Sequence, residues 1–290
     1  MKPISVGVVG LGCIGASLAW ELKRKNFCRE VLGHDLQSSS MDFALEKQII
    51  DRAVSLEKCA RDSDLVILAV PVLQIPLVAE SLMPHLKSNS LLTDVGSAKD
   101  RVVKKIKGLL RADITFIGGH PMAGSEKSGV QAAKPALFSG APYFLTPVKP
   151  INEQALNLLI DLIKTLGANP FLVTPEEHDA IVARISHLPY LVSAALVLSC
   201  GDDSRTTGFA AGGFRDTTRI ASSDPVMGKD FCVANRKEII RAAEKFISEI
   251  QDIIGRLSRG DSIEEKLRAA RSLRDTIAAQ KRWESDFNGK

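Results

Sequence analysis

The chain has 290 residues, of which 45% are hydrophobic and 25% are charged, and its net charge is +4 at pH 7. These proportions are ordinary for a soluble globular protein with room for one large domain or two of average size. The Lys and Arg residues are scattered along the chain, so the charge pattern gives no indication of a nucleic-acid partner.

The cysteines and the N-terminus bear on the compartment in which the protein works. Five cysteines occur without a CxxC pair, which argues against a disulfide framework and against a zinc site, and we expect no metal. The N-terminal residues lead into a strand pattern without the features of a signal peptide. No apolar run approaches the roughly 20 residues of a membrane span. We therefore expect a cytoplasmic protein with no membrane partner.

The first 174 residues alternate between strand-like and helical patterns. Amphipathic patterns predict helices, for example at residues 72–86 and 153–166. Short apolar runs predict strands at residues 6–9, 30–33, 65–70, 91–94, 114–117, 143–146 and 171–173. Such alternation is typical of βαβ units with a parallel sheet. We predict that residues 1–174 form an α/β Rossmann-like domain.

The period becomes helical after Thr174. This residue is a candidate N-cap, because a proline and two glutamates follow it. No strand pattern follows, and apolar residues at three- and four-residue spacing predict long helices at residues 239–257 and 263–277. We predict that residues 175–290 form an all-α domain. The apolar face of its long helix is either domain core or a subunit interface.

A GxGxxG sequence lies between the first predicted strand and the first predicted helix. In this context Gly10 permits a tight turn, Gly12 lets the backbone approach a pyrophosphate, and Gly15 allows helix and strand to pack closely. Cys13 and Ile14 begin the helix, whose free N–H groups favour phosphate. We predict a dinucleotide site here, and the alternative is a purely structural glycine turn.

Asp35 follows the second predicted strand and is the candidate ligand for the adenosine ribose. Its carboxylate can accept hydrogen bonds from the ribose hydroxyls and would repel a 2′-phosphate. The expected cofactor is therefore NAD rather than NADP. The alternative is a surface acid that begins a turn before the serine run at residues 38–40.

Polar turns follow three of the predicted strands, where ligands of open α/β sheets bind. They lie at residues 70–71, 94–97 and 118–121. We assign Val70 and Pro71 to cofactor binding, and Ser97 and His120 to the nicotinamide end of the cofactor. Pro121 disfavours a helical conformation at His120. We therefore expect His120 to be held at the end of its strand, where it can move a proton.

The helical half carries a second polar cluster. His187 and Arg184 lie near a proline in an otherwise apolar helix. Arg215 and Arg219 are four residues apart, and a helix would place them on one face. Guanidinium groups bind carboxylates bidentately, so these arginines are candidates for a carboxylate substrate. The alternatives are a core histidine at position 187 and arginines that pair with nearby aspartates.

Five sequences occur in the order GLGCIG, DVGSAK, GGHPMAGSEKSG, SHLPY and GGFRDTTRIASSDP. In these sequences the chain closely resembles the prephenate/arogenate dehydrogenases of tyrosine biosynthesis, over nearly its full length. The resemblance implies a Rossmann-like N-terminal domain and an all-α C-terminal domain that binds substrate and forms a homodimer. It implies oxidative decarboxylation of prephenate to 4-hydroxyphenylpyruvate with reduction of NAD. Arogenate as substrate, giving tyrosine, or dual cyclohexadienyl specificity are the alternatives.

The resemblance also implies roles for individual residues. His120 corresponds to the catalytic histidine, which takes the proton of the C4 hydroxyl, and Ser97 to a serine that hydrogen-bonds near that hydroxyl. His187 corresponds to the histidine of the HLP sequence, on the substrate side. Arg219 corresponds to the arginine that holds a substrate carboxylate.

Three further positions concern the substrate pocket. Ser125 and Glu126 of the GSEKSG sequence are assigned to the substrate, and Glu126 matches a position tied to polar networks and access. Tyr190 departs from the family pattern, because several members have a second histidine there. The preference between prephenate and arogenate therefore stays open.

A general base must be neutral to accept a proton, so activity should fall at acid pH, with an apparent pKa of roughly 6 to 7 for His120. Two other classes can be weighed against this reading. A β-hydroxyacid dehydrogenase would use a catalytic lysine early in the helical domain, but residues 175–228 contain no lysine. A non-catalytic NAD-binding regulator would not need Ser97, His120 and Arg219 together.

Overall fold

A computed structural model describes residues 4–125, 127–201 and 204–281 of the chain. Its central feature is an eight-stranded sheet with the order β3-β2-β1-β4-β5-β6-β7-β8. The strands are β1 (Ser5–Val9), β2 (Glu30–His34), β3 (Arg52–Ala53), β4 (Leu65–Leu68), β5 (Leu91–Asp94), β6 (Thr115–Pro121), β7 (Pro142–Pro147) and β8 (Asn169–Leu172). The first six follow the order of a dinucleotide-binding doubly wound sheet. The predicted fold class is confirmed.

The strand directions depart from the predicted parallel sheet at one place. β7 pairs antiparallel with β6, whereas every other pairing in the sheet is parallel. A parallel pair needs a crossover helix. Between β6 and β7 the described residues contain only a short 3₁₀ turn, Val130–Ala132. The chain therefore returns beside β6 in the opposite direction.

The position of His120 also differs from the sequence-based prediction. The predicted strand ends at Ile117, but β6 continues to Pro121, so His120 lies inside the strand. Its partner on the antiparallel strand β7 is Phe144. Pairing between β6 and β5 ends at Ile117, whereas pairing between β6 and β7 continues to Pro121. The pairing with β7 therefore extends β6 through His120.

Helices cover both faces of the sheet. They are α1 (Cys13–Arg24), α2 (Ser38–Glu46), α3 (Leu56–Asp62), α4 (Ile75–Leu82), α5 (Asp100–Lys107) and α6 (Glu153–Thr165). Side chains alternate between the two faces of a strand. In β4, Leu65 and Ile67 accordingly pack into a core that includes α1 and α6, while Val66 and Leu68 pack into a core that includes α4 and α5. The carboxyl ends of the strands stay open for a site.

The residues described after β8 are helical, as the sequence predicts. Thr174 caps α7 with the predicted capping box, in which Glu177 is the reciprocal partner. The helices are α7 (Pro175–Val182), α8 (Leu188–Ser199), α9 (Ser204–Gly208), α10 (Gly212–Thr218), α11 (Pro225–Ala234), α12 (Arg236–Arg259) and α13 (Glu264–Lys281). A π-helical turn, Ala183–His187, joins α7 to α8. The domain boundary after residue 174 remains a prediction.

Two compact units divide the chain, Met1–Ile239 and Ile240–Lys290. The first contains the sheet, the helices up to α11 and the first turn of α12. In the second, α13 and the rest of α12 carry exposed apolar side chains, among them Ile247, Ile254 and Leu267. Lys266 of α13 donates to Glu249 and Asp252 of α12, at 2.7 Å in each case.

One stretch is more apolar than the sequence-based reading expects. Pro175–Ser199 has 25 residues and a mean hydropathy of 1.7 in its most apolar window, which by length and composition is enough to cross a membrane. This is weak evidence, because a core helix of a soluble protein passes the same test. The stretch also holds buried polar side chains, His178, Asp179 and His187.

Candidate active site

A cavity of about 380 Å³ lies at the carboxyl ends of the strands in the first unit. Segments that follow β1, β4, β5 and β6 form its wall, together with the start of α11. The predicted site residues that line it are Gly12, Cys13, Ile14, Val70, Pro71, Ser97, His120 and Ser125. The structure thus brings the predicted cofactor turn and the predicted catalytic residues to one cavity.

The glycine turn has the geometry that dinucleotide binding requires. Gly10 has a φ of +95°, a conformation that favours glycine. A Cβ at Gly15 would collide with the carbonyl oxygen of Gly10, so helix α1 can approach the turn only with glycine at this position. A Cβ at Gly12 would meet nothing within 4 Å, and no side chain caps the helix that begins at Cys13. Free N–H groups at the cavity wall therefore fit a pyrophosphate.

Asp35 also stabilises the glycine turn, a role that the sequence analysis did not predict. One of its carboxylate oxygens accepts a hydrogen bond from the backbone N–H of Leu11 at 2.7 Å, and the other accepts from Gln37 at 2.9 Å. The carboxylate at the end of β2 is thus tied directly to the glycine turn after β1. Asp35 is half-buried and retains lone pairs for a ribose.

A buried ion pair between Lys99 and Asp94 fixes the backbone next to His120. The ammonium of Lys99 contacts the Asp94 carboxylate, and both side chains are fully buried. Lys99 Nζ also donates to the carbonyl of Gly119 at 2.7 Å, while the N–H of Gly119 donates to Asp94 at 3.2 Å. A Cβ at Gly119 would lie 2.6 Å from the backbone oxygen of Asp94, so this approach requires glycine. The peptide units on both sides of Gly119, including the one that joins it to His120, are therefore fixed.

The pKa of His120 differs from the expected range. Burial lowers this pKa well below the ordinary value, and the neighbouring His178 and Lys99 lower it further. His120 therefore stays neutral to lower pH than an exposed histidine, as a proton acceptor must. The acid limb expected at pH 6 to 7 should lie lower in the free protein.

His187 is buried but does not line the cavity wall. Its ring stacks on Phe231 with the ring centroids 4.4 Å apart, and its Nδ1 lies 3.2 Å from the side-chain nitrogen of Asn235. Burial lowers the pKa of His187 to about 4. Its Nε2 has no hydrogen-bond partner among the described residues. Both the core reading and the ligand reading of His187 remain compatible with this geometry.

The two arginines do not share one α-helix. Helix α10 ends at Thr218, and Arg219 begins a 3₁₀ turn, Arg219–Ser222. Both Arg215 and Arg219 are exposed, and neither is among the described residues that line the cavity. After this turn Asp224 caps α11, where it accepts from the N–H of Val226 at 2.8 Å. Arg219 is the C-cap of α10, so the two arginines lie at the end of this helix rather than inside one continuous α-helix, and their role in carboxylate binding stays a prediction.

Glu126 lies outside the described residues, between Ser125 and Lys127, which both line the cavity. Ser125 accepts a hydrogen bond from the N–H of Lys127 at 3.1 Å. The structure thus places the neighbours of Glu126 on the cavity wall.

Six polar residues at or behind the cavity were given no role of their own in the sequence analysis, although Asp94 begins one of its polar turns. They are Asp94, Lys99, His178, Asp179, Asp224 and Asp230. Asp224 and Asp230 line the cavity from α11 and the residue before it. Two of the others lie in the DVGSAK sequence, which offered a usable signal: a lysine five residues after an aspartate that ends a strand.

Comparison with known proteins agrees with this description. Residues 18–172 match the family model for the nucleotide-binding domain of prephenate dehydrogenase, and residues 174–272 match the model for its dimerization domain. The chain is 40% identical over 252 residues to a prephenate dehydrogenase of Bacillus subtilis (strain 168), covering 85% of this chain and 68% of that protein.

Two solved structures are similar over almost the whole chain. One is prephenate dehydrogenase from A. aeolicus in complex with hydroxyphenyl propionate and NAD+, with a TM-score of 0.89, 31% identity, and coverage of 96% of this chain and 99% of that one. The other is Synechocystis arogenate dehydrogenase, with a TM-score of 0.77, 32% identity and the same coverage. These similarities also support the predicted fold class.

The buried histidines predict a steep loss of stability in mild acid. Burial lowers the pKa of His120, His178 and His187 in the folded state, whereas unfolded histidines titrate near about 6.5. Below that pH the unfolded state binds more protons, so the free energy of unfolding falls as pH falls. Each histidine contributes a slope of up to about 1.4 kcal/mol per pH unit. Urea unfolding at pH 7.5, 6.5, 5.5 and 5.0 measures how the free energy of unfolding depends on pH. A urea midpoint that stays constant over this range would contradict the burial of neutral histidines.

Proposed function

Because the chain belongs to the prephenate dehydrogenase family, we propose that it oxidatively decarboxylates prephenate to 4-hydroxyphenylpyruvate and uses NAD as the oxidant. One observation carries the proposal within the molecule. His120 lines the same cavity as the glycine turn of a dinucleotide fold. The side chain of His120 is buried, and burial lowers its pKa. A proton acceptor beside a nicotinamide site is the arrangement that an alcohol dehydrogenation needs.

The glycine turn and Asp35 would hold the cofactor. Cys13 and Ile14 line the cavity, and their N–H groups would bind the pyrophosphate. Asp35 would accept from the ribose hydroxyls, and its charge would disfavour a 2′-phosphate. Val70 and Pro71, on the same cavity wall, would contact the dinucleotide. When bound, NAD supplies the acceptor for the hydride that leaves C4 of the substrate.

His120 is proposed to take the proton of the C4 hydroxyl, with Ser97 as hydrogen-bond partner of that hydroxyl. Both side chains line the cavity, and Ser97 lies three residues after Asp94. Loss of the ring carboxylate as carbon dioxide and aromatisation of the ring then make the step irreversible. The chain supplies orientation and a base, and holding the reacting groups together gives much of the rate.

Recognition of the substrate carboxylates is assigned to Arg219, with Ser125, Glu126 and His187 on the substrate side. Support for Arg219 comes from its TRIA-like sequence and from its place five residues before Asp224, which lines the cavity. An arginine fork matches a carboxylate geometrically.

A homodimer that forms through the helices after residue 174 completes the proposal. Its support is the match of residues 174–272 to a dimerization domain and the apolar side chains exposed on α12, among them Ile247 and Ile254. The apolar stretch Pro175–Ser199 suits helix packing in such an interface. We place the enzyme in the cytoplasm.

Arogenate is the second candidate substrate. Arogenate carries an ammonium where prephenate carries a keto group, and the carboxylates of Asp224 and Asp230 line the cavity. Lys127 also lines the cavity and Lys229 pairs with Asp230 at 3.2 Å, so Asp224 is the carboxylate better placed to favour an ammonium. The similarity to an arogenate dehydrogenase points the same way.

The first prediction combines cofactor and substrate preference. Wild-type protein should reduce NAD faster than NADP, and prephenate should be the better substrate of the two. Asp35→Asn removes the charge but keeps an oxygen for the N–H of Leu11, so it should narrow the preference for NAD. The assay follows reduced nicotinamide with each cofactor and each substrate. Asp42→Asn, at an exposed position of α2, is the matched control. A wild-type preference for NADP would refute the reading of Asp35.

The second prediction concerns the substrate carboxylate. Arg219→Ala should raise KM for prephenate strongly while the affinity for NAD changes little. Arg219 is exposed in the free protein, so the figure of about 2–5 kcal/mol for truncating one partner of a desolvated charge pair applies only if bound substrate covers the guanidinium. Arg215→Ala is the matched comparison, because Arg215 is exposed nearby and pairs with Asp216 at 3.1 Å. A large KM effect at Arg215 with none at Arg219 would move the contact to Arg215.

The third prediction tests the general base. His120→Asn keeps a polar side chain in the strand, so the fold and NAD binding should persist. Loss of a general base lowers rates by about 10²–10⁴-fold, and kcat should fall on that scale. The acid limb of kcat/KM in the wild type should lie below pH 6.5 or so and be absent from the variant. If His120→Asn kept a near-normal kcat and the same acid limb, His120 would have a structural role, and His187 would become the candidate base.

A further inference from the structure

A chain of hydrogen bonds connects His120 to a buried carboxylate on α7. Nδ1 of His120 lies 2.8 Å from Nε2 of His178, and Nδ1 of His178 lies 2.7 Å from Oδ1 of Asp179. The same carboxylate accepts from the backbone N–H groups of Lys99 and Asp100, at 2.7 and 3.0 Å. All three side chains of this chain, which we call the His120–Asp179 chain, are buried.

The hydrogen-bond partners fix the position of each proton. A carboxylate that is ionised only accepts, so Nδ1 of His178 must carry a hydrogen. Burial lowers the pKa of His178 to about 2, which keeps its ring neutral and leaves Nε2 as an acceptor. Nδ1 of His120 must then donate to His178. In the neutral ring of His120, the free lone pair is therefore on Nε2.

Burial lowers the pKa of His120, and His178, Lys99 and His187 lower it further, so the charge that the ring acquires during the reaction needs an opposing charge nearby. The titratable groups around it come from several elements: Asp94 and Lys99 from β5 and the turn after it, Tyr143 from β7, His178 and Asp179 from α7, His187 from the π-helical turn, and Asp224, Asp230 and Lys127 from the cavity wall. Lys99 and Asp94 offset each other in a direct ion pair. Among the buried charges behind the ring, this leaves the carboxylate of Asp179 uncompensated while the histidines are neutral.

We propose that His178 and Asp179 are positioning residues for the general base. They hold His120 in the tautomer with a free Nε2 and stabilise the positive charge that the ring acquires. The inference rests on the proposed role of His120. The proton balance is simple: the substrate hydroxyl gives its proton to Nε2, the proton on Nδ1 stays in its hydrogen bond to His178, and the new imidazolium is offset by the Asp179 carboxylate.

A purely structural role for these residues is the competing explanation. Asp179 closes the start of α5 through two backbone N–H groups, and the side chain of Asn235 donates to its carbonyl at 2.8 Å. Variants could therefore lose activity through a disturbed fold. The experiment needs measurements that a structural role alone would leave unchanged.

The first measurement uses the wild-type protein without substrate. The chain has five histidines, so nitrogen NMR of the ring signals can assign each tautomer. At neutral pH we expect His120 protonated on Nδ1 and unprotonated on Nε2, and His178 likewise. A proton on Nε2 of His120 would overturn the proposal. This result is independent of turnover, so it is separate from the outcome for His120→Asn.

The second measurement is the pH profile of Asp179→Asn. The amide oxygen can keep the hydrogen bond from His178, but the negative charge is gone. The pKa of His120 should fall, so the acid limb of kcat/KM should move to lower pH while the plateau drops about tenfold or more, with KM nearly unchanged. An unchanged profile in a folded variant would overturn the proposal.

A pair of variants at position 178 supports the test if Asp179→Asn does not fold. His178→Phe removes the acceptor for Nδ1 of His120 and should lower kcat by roughly 10²-fold, within the range for general-base catalysis. His178→Gln offers an amide oxygen and should recover part of that loss. Phe144→Leu is the packing control, because Phe144 meets the ring of His178 edge-on at 5.3 Å. It should keep the acid limb and the tautomers. Equal activity of the Phe and Gln variants would assign position 178 to packing alone.

Discussion

The buried ion pair between Asp94 and Lys99 is the constraint on which the rest of the site depends. Asp94 ends β5, and its carboxylate accepts from the N–H groups of Gly96 and Gly119 at 2.8 and 3.2 Å. Lys99 completes the connection through the carbonyl of Gly119. One pair of charges therefore shapes the turn that carries Ser97 and fixes the strand that carries His120. Removing either partner alone would leave an uncompensated buried charge, which costs about 3–5 kcal/mol.

The dinucleotide half of the site is built by a similar connection between neighbouring strands. Asp35 leaves β2 and accepts from the N–H of Leu11 in the turn that leaves β1. The cofactor turn is thus held by the residue that is also expected to recognise the ribose. In both halves a carboxylate at the end of one strand fixes the backbone at the end of the next. The cavity lies at the carboxyl ends of these strands, and it is lined by residues that neighbour both connections, among them Gly12, Ser97 and His120.

The sequence predicts the parts of this architecture that depend on local patterns. Period and glycine spacing located seven of the eight strands, the N-cap at Thr174 and the glycine turn, because each is a property of adjacent residues, whereas the two-residue strand β3 was not predicted. The direction of β7 was not predictable in this way, since it depends on the absence of a crossover helix before it. The extension of β6 through His120 follows from that pairing, and so it was missed as well.

The polar network behind His120 was hidden for a different reason. His178 and His120 are 58 residues apart, and Asp179 meets the N–H of Lys99 from 80 residues away. Locally, His178 and Asp179 belong to the first turns of an ordinary capped helix. Only the packing of α7 against the turn after β5 gives them partners. A sequence can show that such residues are present, but pairings over this distance follow from the fold.

Burial of the base creates two opposing effects that the network balances. Desolvation keeps His120 neutral and therefore able to accept a proton at physiological pH, and this is the first requirement of a base. A depressed pKa also makes the ring a weaker acceptor, which slows proton transfer. A carboxylate placed behind the ring raises the proton affinity of the far nitrogen without opening the site to water. Asp179 stands in that position: burial raises the pKa of its carboxyl, and three N–H donors oppose that rise by stabilising the carboxylate. The fold therefore combines a dry pocket, in which electrostatic interactions are strong, with a base that can still take up charge.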